Sequence, residues 1–192
     1  ETCVLCNVTM SDKPRDGVDF FPLSVEFEEK LYAAGRIPGS FMRREGRPGE
    51  RAILTSRVVD RPMRPLFPKE MRNDVCITMT VMSLDPDCSP EIAGMIGASL
   101  VTAVSEIPWN GPIGGVQVGL VDGEIVLNPT QEQRKKSDLA LTVAATMDKI
   151  VMIEAGANEV DEDTMLNAIK AAHVEIKKII EFINKIVAER GK

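Results

Sequence analysis

The amino-acid sequence predicts an α+β domain followed by a long helix. Two observations predict the mixed class. Apolar residues alternate with polar ones at Phe21, Leu23, Val25 and Phe27, and again at Val75, Ile77, Met79 and Val81, as half-buried strands require. Pro90–Ile107, in contrast, is small and apolar almost throughout, the composition of a buried helix. The third observation concerns the C-terminal end. Leu166, Ile169, His173, Ile176, Ile180, Ile183 and Val187 recur at alternating steps of three and four, a coiled-coil-like seam.

Taken in order, residues 1–10 and Phe20–Glu28 read as strands. Pro14 and Gly17 make Ser11–Asp19 a turn between them, hairpin-like or wider. Gly35–Gly49 holds six Gly or Pro in fifteen residues and has no periodicity. A structureless stretch of that length inside a compact domain is either functional or disordered. Arg51–Arg61 reads as a short helix with Ile53, Leu54 and Val58 inward, stopped by Pro62 and Pro65. Asp74–Met82 is the second alternating strand. Ser89 and Pro90 prepare the start of the Pro90–Ile107 helix. Gly114–Leu127 forms a hairpin around Asp122-Gly123. Strands at Leu139–Thr146 and Ile150–Glu154 follow, with Met147-Asp148-Lys149 turning between them. The seam places the last helix at about Asp161–Glu189. Burial is worth roughly 1.5–3 kcal/mol per aliphatic residue, so that seam must dock, on the preceding domain or on a following helix. No internal repeat or low-complexity tract interrupts this order.

A chain of 192 residues is one large domain, or one domain and part of a second, and buries a core without staples. With 44% hydrophobic and 27% charged residues its composition is that of an ordinary globular protein. No apolar run reaches the ~18 residues of a spanning helix, so no membrane partner is expected. The opening Glu1-Thr2-Cys3-Val4-Leu5-Cys6 lacks a basic region and a cleavage site, and has no initiating Met. It reads as the start of a fragment. Cys3, Cys6, Cys76 and Cys88 are too scattered for a disulfide framework. Cys3 and Cys6 fall on opposite faces of a strand, and no second Cys/His pair completes a zinc site. Reduced thiols and a cytoplasmic location follow.

The net charge of −6 hides a strong asymmetry. Arg36–Arg72 carries ten basic residues against four acidic ones, a local +6, which leaves −12 for the remainder. An arginine-dense island on an acidic body is a localised anion site. No Walker loop is present, and Gly111-Pro112-Ile113-Gly114-Gly115 has neither Rossmann spacing nor context. The single histidine, His173, falls on the helix seam and reads as a packed core residue. The informative run is Phe41-Met42-Arg43-Arg44-Glu45-Gly46-Arg47-Pro48, followed by Arg57, Arg61 and Arg64. Stacking of a base on an aromatic ring is worth ~1–3 kcal/mol. Arginine forks match phosphate oxygens in pairs. Arg57 and Arg61 are i,i+4 neighbours whose repulsion of roughly 0.2–0.5 kcal/mol an anion between them would remove. The plainer alternative is a solvated basic face balanced by Glu50 and Asp60.

At these residues a family resemblance becomes specific. Tyr32-Ala33-Ala34-Gly35-Arg36-Ile37-Pro38-Gly39-Ser40-Phe41, Arg43-Arg44-Glu45-Gly46-Arg47-Pro48 and Asp60-Arg61-Pro62-Met63-Arg64-Pro65-Leu66-Phe67-Pro68 are joined by Met95-Ile96-Gly97-Ala98-Ser99, Asn110-Gly111-Pro112-Ile113-Gly114 and Leu127-Asn128-Pro129-Thr130-Gln131. Together they closely resemble the first ribonuclease-PH-like domain of the bacterial polynucleotide phosphorylase (polyribonucleotide nucleotidyltransferase) family. The resemblance implies a ribonuclease-PH-like βαβ domain at residues 1–155, its leading strands missing. Residues 156–192 would be a long helix that begins the linking all-helical domain. It implies a cytoplasmic homotrimer that degrades mRNA from its 3′ end, using Mg²⁺ and inorganic phosphate to release nucleoside diphosphates. Phe41, Met42, Arg43, Arg44 and Arg47 would contact single-stranded RNA where the central channel narrows, with Met42 standing where the family has a second aromatic. Arg57 and Arg61 would face an active site built by the second ribonuclease-PH-like domain of the same chain.

In this domain the catalytic features look degenerate. The family's phosphate-binding turn reads Cys88-Ser89-Pro90-Glu91, with one backbone donor lost to proline and a repelling carboxylate. Glu132 and Asp138 keep the spacing of two metal-binding acids, but Arg134, Lys135 and Lys136 lie between them. The expectation is therefore an RNA-guiding domain with no catalytic residue, no metal ligand and no bound cofactor of its own. A catalytic ribonuclease-PH-type enzyme and a non-enzymatic trimer scaffold stand as alternatives.

Overall fold

The computed structural model describes residues 1–39, 41, 43 and 45–191. The elements run β1 (Cys3–Pro14), β2 (Leu23–Glu29), α1 (Glu50–Met63), β3 (Asn73–Ser83), α2 (Pro90–Val104), β4 (Gly114–Val121), β5 (Glu124–Leu127), α3 (Gln131–Lys136), β6 (Leu139–Ala145), β7 (Ile150–Ala157) and α4 (Glu162–Arg190). They form a three-stranded sheet in the order β1-β3-β2 and a four-stranded sheet in the order β5-β4-β6-β7.

In the first sheet β3 is the central strand, and Val75, Ile77, Met79 and Val81 are all buried on one face, as their alternation requires. It runs antiparallel to β1 and parallel to β2, with Val25 opposite Ile77 and Phe27 opposite Met79. The hairpin-like option for Ser11–Asp19 is therefore overturned. β3 lies between β1 and β2, and the wider connection spans it. The parallel pair is joined through α1, a βαβ unit, since parallel strands need a crossover. α1 packs over β2 and α2 over β1, and the two helices touch.

The inward face of α1 differs from the expected one. Ala52, Thr55, Val59 and Met63 are buried, whereas Ile53 and Leu54 are 53% and 56% exposed. Small residues line the near half of the helix because it approaches β2 closely. Nor does Pro62 stop α1. It sits in the last turn, where its missing N–H costs one bond, and the ladder resumes with Arg64 N–H donating to the Asp60 carbonyl. A 3-10 turn at Arg64–Leu66 then leads out, and another at Leu31–Ala34 is closed by Gly35 at φ 68°. The remaining described residues of 35–49 are in neither helix nor strand.

Ser89 occupies the cap position of α2, but its side chain makes no capping bond. The helix ends at Val104 rather than Ile107, where Ser105 donates through both its N–H and its hydroxyl to the Thr102 carbonyl. β4 and β5 form the expected hairpin, with Asp122 at φ 52° and Gly123 at φ 80°, the pair of left-handed residues that a tight hairpin turn needs.

The buried residues form two hydrophobic clusters, and α2 contributes to the first. The first gathers Phe27, Val59, Met63, Phe67, Ile77, Met79 and Met95 with Ile113, just ahead of β4, and with Ala144 and Met152 from the second sheet. The second packs Val116, Val118, Leu141 and Val143 against Ala168, Ala172, Ile176 and Ile180 of α4. The seam of α4 thus docks on its own chain, with Ile169, Ile176 and Ile180 against this cluster and Ile183 buried beyond it. Toward its N-terminus alanines take the buried positions and Leu166 is exposed. A straight helix drifts against a strict seven-residue repeat, which rotates Leu166 outward. His173 is partly buried with Nε2 3.1 Å from the Thr146 carbonyl oxygen. All four cysteines are free thiols.

Candidate functional site

The loop that joins the 31–34 turn to α1 leaves and returns through a charged stem. The Leu31 N–H donates to Glu45 Oε1 at 2.5 Å. Lys30 Nζ lies 2.8 Å from Glu28 Oε2 and 3.5 Å from Glu45 Oε2. These contacts hold the Lys30 ammonium above the ordinary lysine pKa, the hydrogen bond to Glu28 contributing most. Behind the stem is a cleft of about 390 Å³ lined by Glu29, Lys30, Gly39, Glu45 and Arg47. Beyond it Phe41 is 103% exposed, and Arg43 is exposed with φ 49° in the left-handed region. Met42 and Arg44 lie outside the described residues.

A second group sits on the outer side of α1. Arg57, Asp60, Arg61, Arg64 and Pro65 line a shallow basin of about 510 Å³. The three arginines in it have different surroundings. Arg64 grips Asp60 with two bonds, of 3.0 and 2.6 Å, and donates to the carbonyls of Phe21 and Leu23 at 3.0 and 3.1 Å. Its charge is committed to holding the end of α1 against β2. Arg61 Nη1 reaches Glu154 Oε2 at 3.6 Å, both side chains about half exposed at 54% and 52%. Such a pair is worth at most about 1 kcal/mol and yields readily to a competing anion. Arg57 is exposed and, among the described residues, makes no ion pair.

The arginine-rich stretch is therefore not one free anion site. Arg51 pairs with Glu91 at 3.2 Å, and Arg72 donates to the Lys69 and Met71 carbonyls. Charge counting treated all the guanidinium groups of 36–72 alike because acceptors distant in sequence, such as Glu91 and Glu154, do not enter a local sum. Among the described residues, what is left facing solvent without an ion pair is Arg36, Arg43, Arg47, Arg57 and Lys69, with Phe41 at the loop tip and the loosely held Arg61 on the helix.

At the start of α2, Glu91 Oε1 accepts from Arg51 Nε and Nη2 at 3.2 Å each, and Oε2 accepts from Gln117 Nε2 at 3.3 Å. The Glu91 carboxylate, in the first turn of α2, is thus taken up by Arg51 and Gln117. Nearby, Asp87 Oδ1 accepts the Gln131 N–H at 2.8 Å at the head of α3, and Arg134 donates to the carbonyls of Pro129 and Pro86. Between α1 and the second sheet runs a cleft of about 430 Å³ lined by Arg51, Val58, Glu91, Gln117, Arg134 and Glu154. This cleft leaves no mark in the sequence, because its walls come from segments far apart in the chain.

Glu132 lies in the first turn of α3 and Asp138 follows its end, with Arg134, Lys135 and Lys136 in the last turn between them. Among the described residues no three His, Cys, Asp or Glu side chains gather as metal ligands would. Three cationic side chains between the two carboxylates oppose the binding of a further cation such as Mg²⁺.

Comparison with known proteins agrees with the fold. The profile described as the 3′ exoribonuclease family, domain 1, matches residues 1–108, and that described as domain 2 of the same family matches residues 111–175. The chain belongs to the 3′ exoribonuclease family. Over its whole length it is 64% identical to the polyribonucleotide nucleotidyltransferase of Lachnoclostridium phytofermentans, 62% to that of Ruminiclostridium cellulolyticum and 60% to that of Clostridioides difficile. The match covers 28%, 27% and 27% of those three proteins, so the chain spans about a quarter of their length. No helix among the described residues is long and apolar enough to cross a membrane.

Proposed function

We propose that this chain guides single-stranded RNA, without cleaving it, within a phosphate-dependent 3′→5′ exoribonuclease that releases nucleoside diphosphates in mRNA degradation. The observation that carries this reading is the loop tip: a wholly exposed Phe41 between exposed arginines, on a loop whose two limbs are tied together at the stem. A phenyl ring held in water is unfavourable unless it stacks on something, and a nucleobase beside phosphates answers both the ring and the charges. Arg57 and Arg61 would extend the same path toward phosphate. The carboxylate of Glu91, bonded to Arg51 and Gln117, supports the non-catalytic part. On this reading phosphate and Mg²⁺ act at a site built by a second ribonuclease-PH-like domain. Residues 156–192 begin the linking helical domain, and the complete protein is a cytoplasmic trimer around an RNA channel.

Titration with poly(A) at increasing salt tests the proposal. About four phosphate contacts give a log–log slope near −0.7 × 4, roughly −3. Arg43→Ala with Arg47→Ala should make that slope shallower by about 1.4. A slope near zero removes RNA guidance and leaves the scaffold reading, which the pairing of Arg51 and Arg61 with carboxylates favours. Release of nucleoside diphosphates by this chain with Mg²⁺ and phosphate would instead establish that the domain is catalytic.

A further inference from the structure

We propose that Glu45 is a positioning residue: its carboxylate closes the stem of the loop and thereby holds Phe41, Arg43 and Arg47 in place to receive RNA. The inference rests on the RNA-guiding reading and deepens it. Glu45 lies among arginines, where a carboxylate on an RNA-binding loop is electrostatically adverse, since it repels the phosphates that its neighbours attract. Its contacts account for it. Oε1 accepts the Leu31 N–H at 2.5 Å and Oε2 faces Lys30 Nζ at 3.5 Å, so one side chain joins the returning limb of the loop to the outgoing limb fourteen residues earlier. Lys30 is held in turn by Glu28, the penultimate residue of β2, at 2.8 Å. The stem is thus fixed to the sheet through a chain of three charged side chains.

Gly39, Gly46 and Gly49 surround this point, and a Cβ at any of them would meet nothing within 4 Å. At these three glycines no neighbouring atom crowds the backbone, and among the described residues the contacts that join the limbs are the polar ones of Glu45. A loop tethered in this way has lost much of its conformational entropy before RNA arrives, which strengthens binding without adding a contact.

The sign of the effect makes the proposal testable. Removing a negative charge from a basic loop should tighten RNA binding if charge alone matters. Removing a clasp should weaken it. Poly(A) affinity and its salt slope are measured for the full chain, Glu45→Ala and Glu45→Gln. The proposal expects Glu45→Ala to bind roughly three- to tenfold more weakly, the worth of one hydrogen bond, with the salt slope unchanged because every arginine remains. Glu45→Gln keeps an acceptor for the Leu31 N–H and should bind more tightly than Glu45→Ala. Amide exchange at Leu31 should quicken in Glu45→Ala and stay slow in Glu45→Gln. Equal or tighter binding by Glu45→Ala overturns the role of Glu45 and leaves the RNA reading intact. A parent chain whose poly(A) binding has no salt dependence overturns the RNA reading and this proposal with it.

Discussion

Arg57, Arg61 and Arg64 follow one another at helical spacing and carry the same charge, yet their surroundings set Arg64 apart from the other two. Arg64 has four hydrogen bonds to Asp60, Phe21 and Leu23 and lies 6.0 Å from the Phe21 ring, so it belongs to the architecture. Arg57 makes no ion pair among the described residues and belongs to the proposed RNA path. Replacement separates the two. Arg64→Ala should cost about 1–3 kcal/mol in urea denaturation, because it unmakes charge-assisted bonds to two carbonyls, and should leave the poly(A) salt slope unchanged. Arg57→Ala should leave stability within about 0.5 kcal/mol and make the slope shallower by about 0.7. If Arg57→Ala unfolds the protein, or Arg64→Ala alone alters the slope, the assignments are exchanged. The sequence identified the basic cluster from its spacing. It could not rank the members, because the groups that neutralise Arg51 and Arg61 are Glu91 and Glu154, far along the chain.

Among the elements, α2 depends most on the absence of side chains. A Cβ on Gly97 would lie 2.4 Å from Cys6 Sγ, and one on Gly94 would lie 3.2 Å from Met79 Sδ. The helix therefore sits nearly in contact with β1, and Cys6 is partly buried beneath it. Burial, with a smaller contribution from Cys3, pushes the Cys6 thiol up to about 11, so it stays neutral in the fold. Gly97→Ala should destabilise the protein by about 1–3 kcal/mol through overpacking. The same change in a Cys6→Ala background should cost clearly less, since the sulfur that it strikes is gone. Equal costs in the two backgrounds, measured by denaturant titration, would contradict the close packing. The strong periodicities of β3 and of the C-terminal half of α4 were legible because burial on one face dictates them. The face of α1 was not. A window containing Ile53, Leu54 and Val58 looks amphipathic in that phase, but close approach to β2 selects Ala52 and Thr55 instead.

For the molecule as a whole, the two halves matched by the family's domain 1 and domain 2 profiles are joined through a shared core. Ile113, Ala144 and Met152 come from the second half and pack with Phe27, Met63 and Met79 of the first. Arg51 to Glu91 and Arg61 to Glu154 bridge separate elements on the outside. One cooperative unit should result. The single tryptophan, Trp109, reports on the first cluster: its ring lies 6.0 Å from Phe67 and its Nε1–H donates to the Met63 carbonyl. Far-UV circular dichroism is weighted toward α4, the longest helix at 29 residues. The two signals should trace coincident urea transitions, and separated midpoints would mean that the halves unfold independently.

By itself the sequence determined the class of fold, the alternating strand that became β3, the buried helix, the Asp122-Gly123 hairpin, the docking seam of the last helix and the place of the basic loop. Each of these is encoded locally, in the period of burial or in the conformational preference of a few adjacent residues. Only the tertiary structure decided that β3 separates β1 from β2, which face of α1 is buried, and which arginines remain free to meet an anion. Those outcomes depend on partners brought together from distant parts of the chain, and pairing across such distances leaves no periodic mark in the sequence.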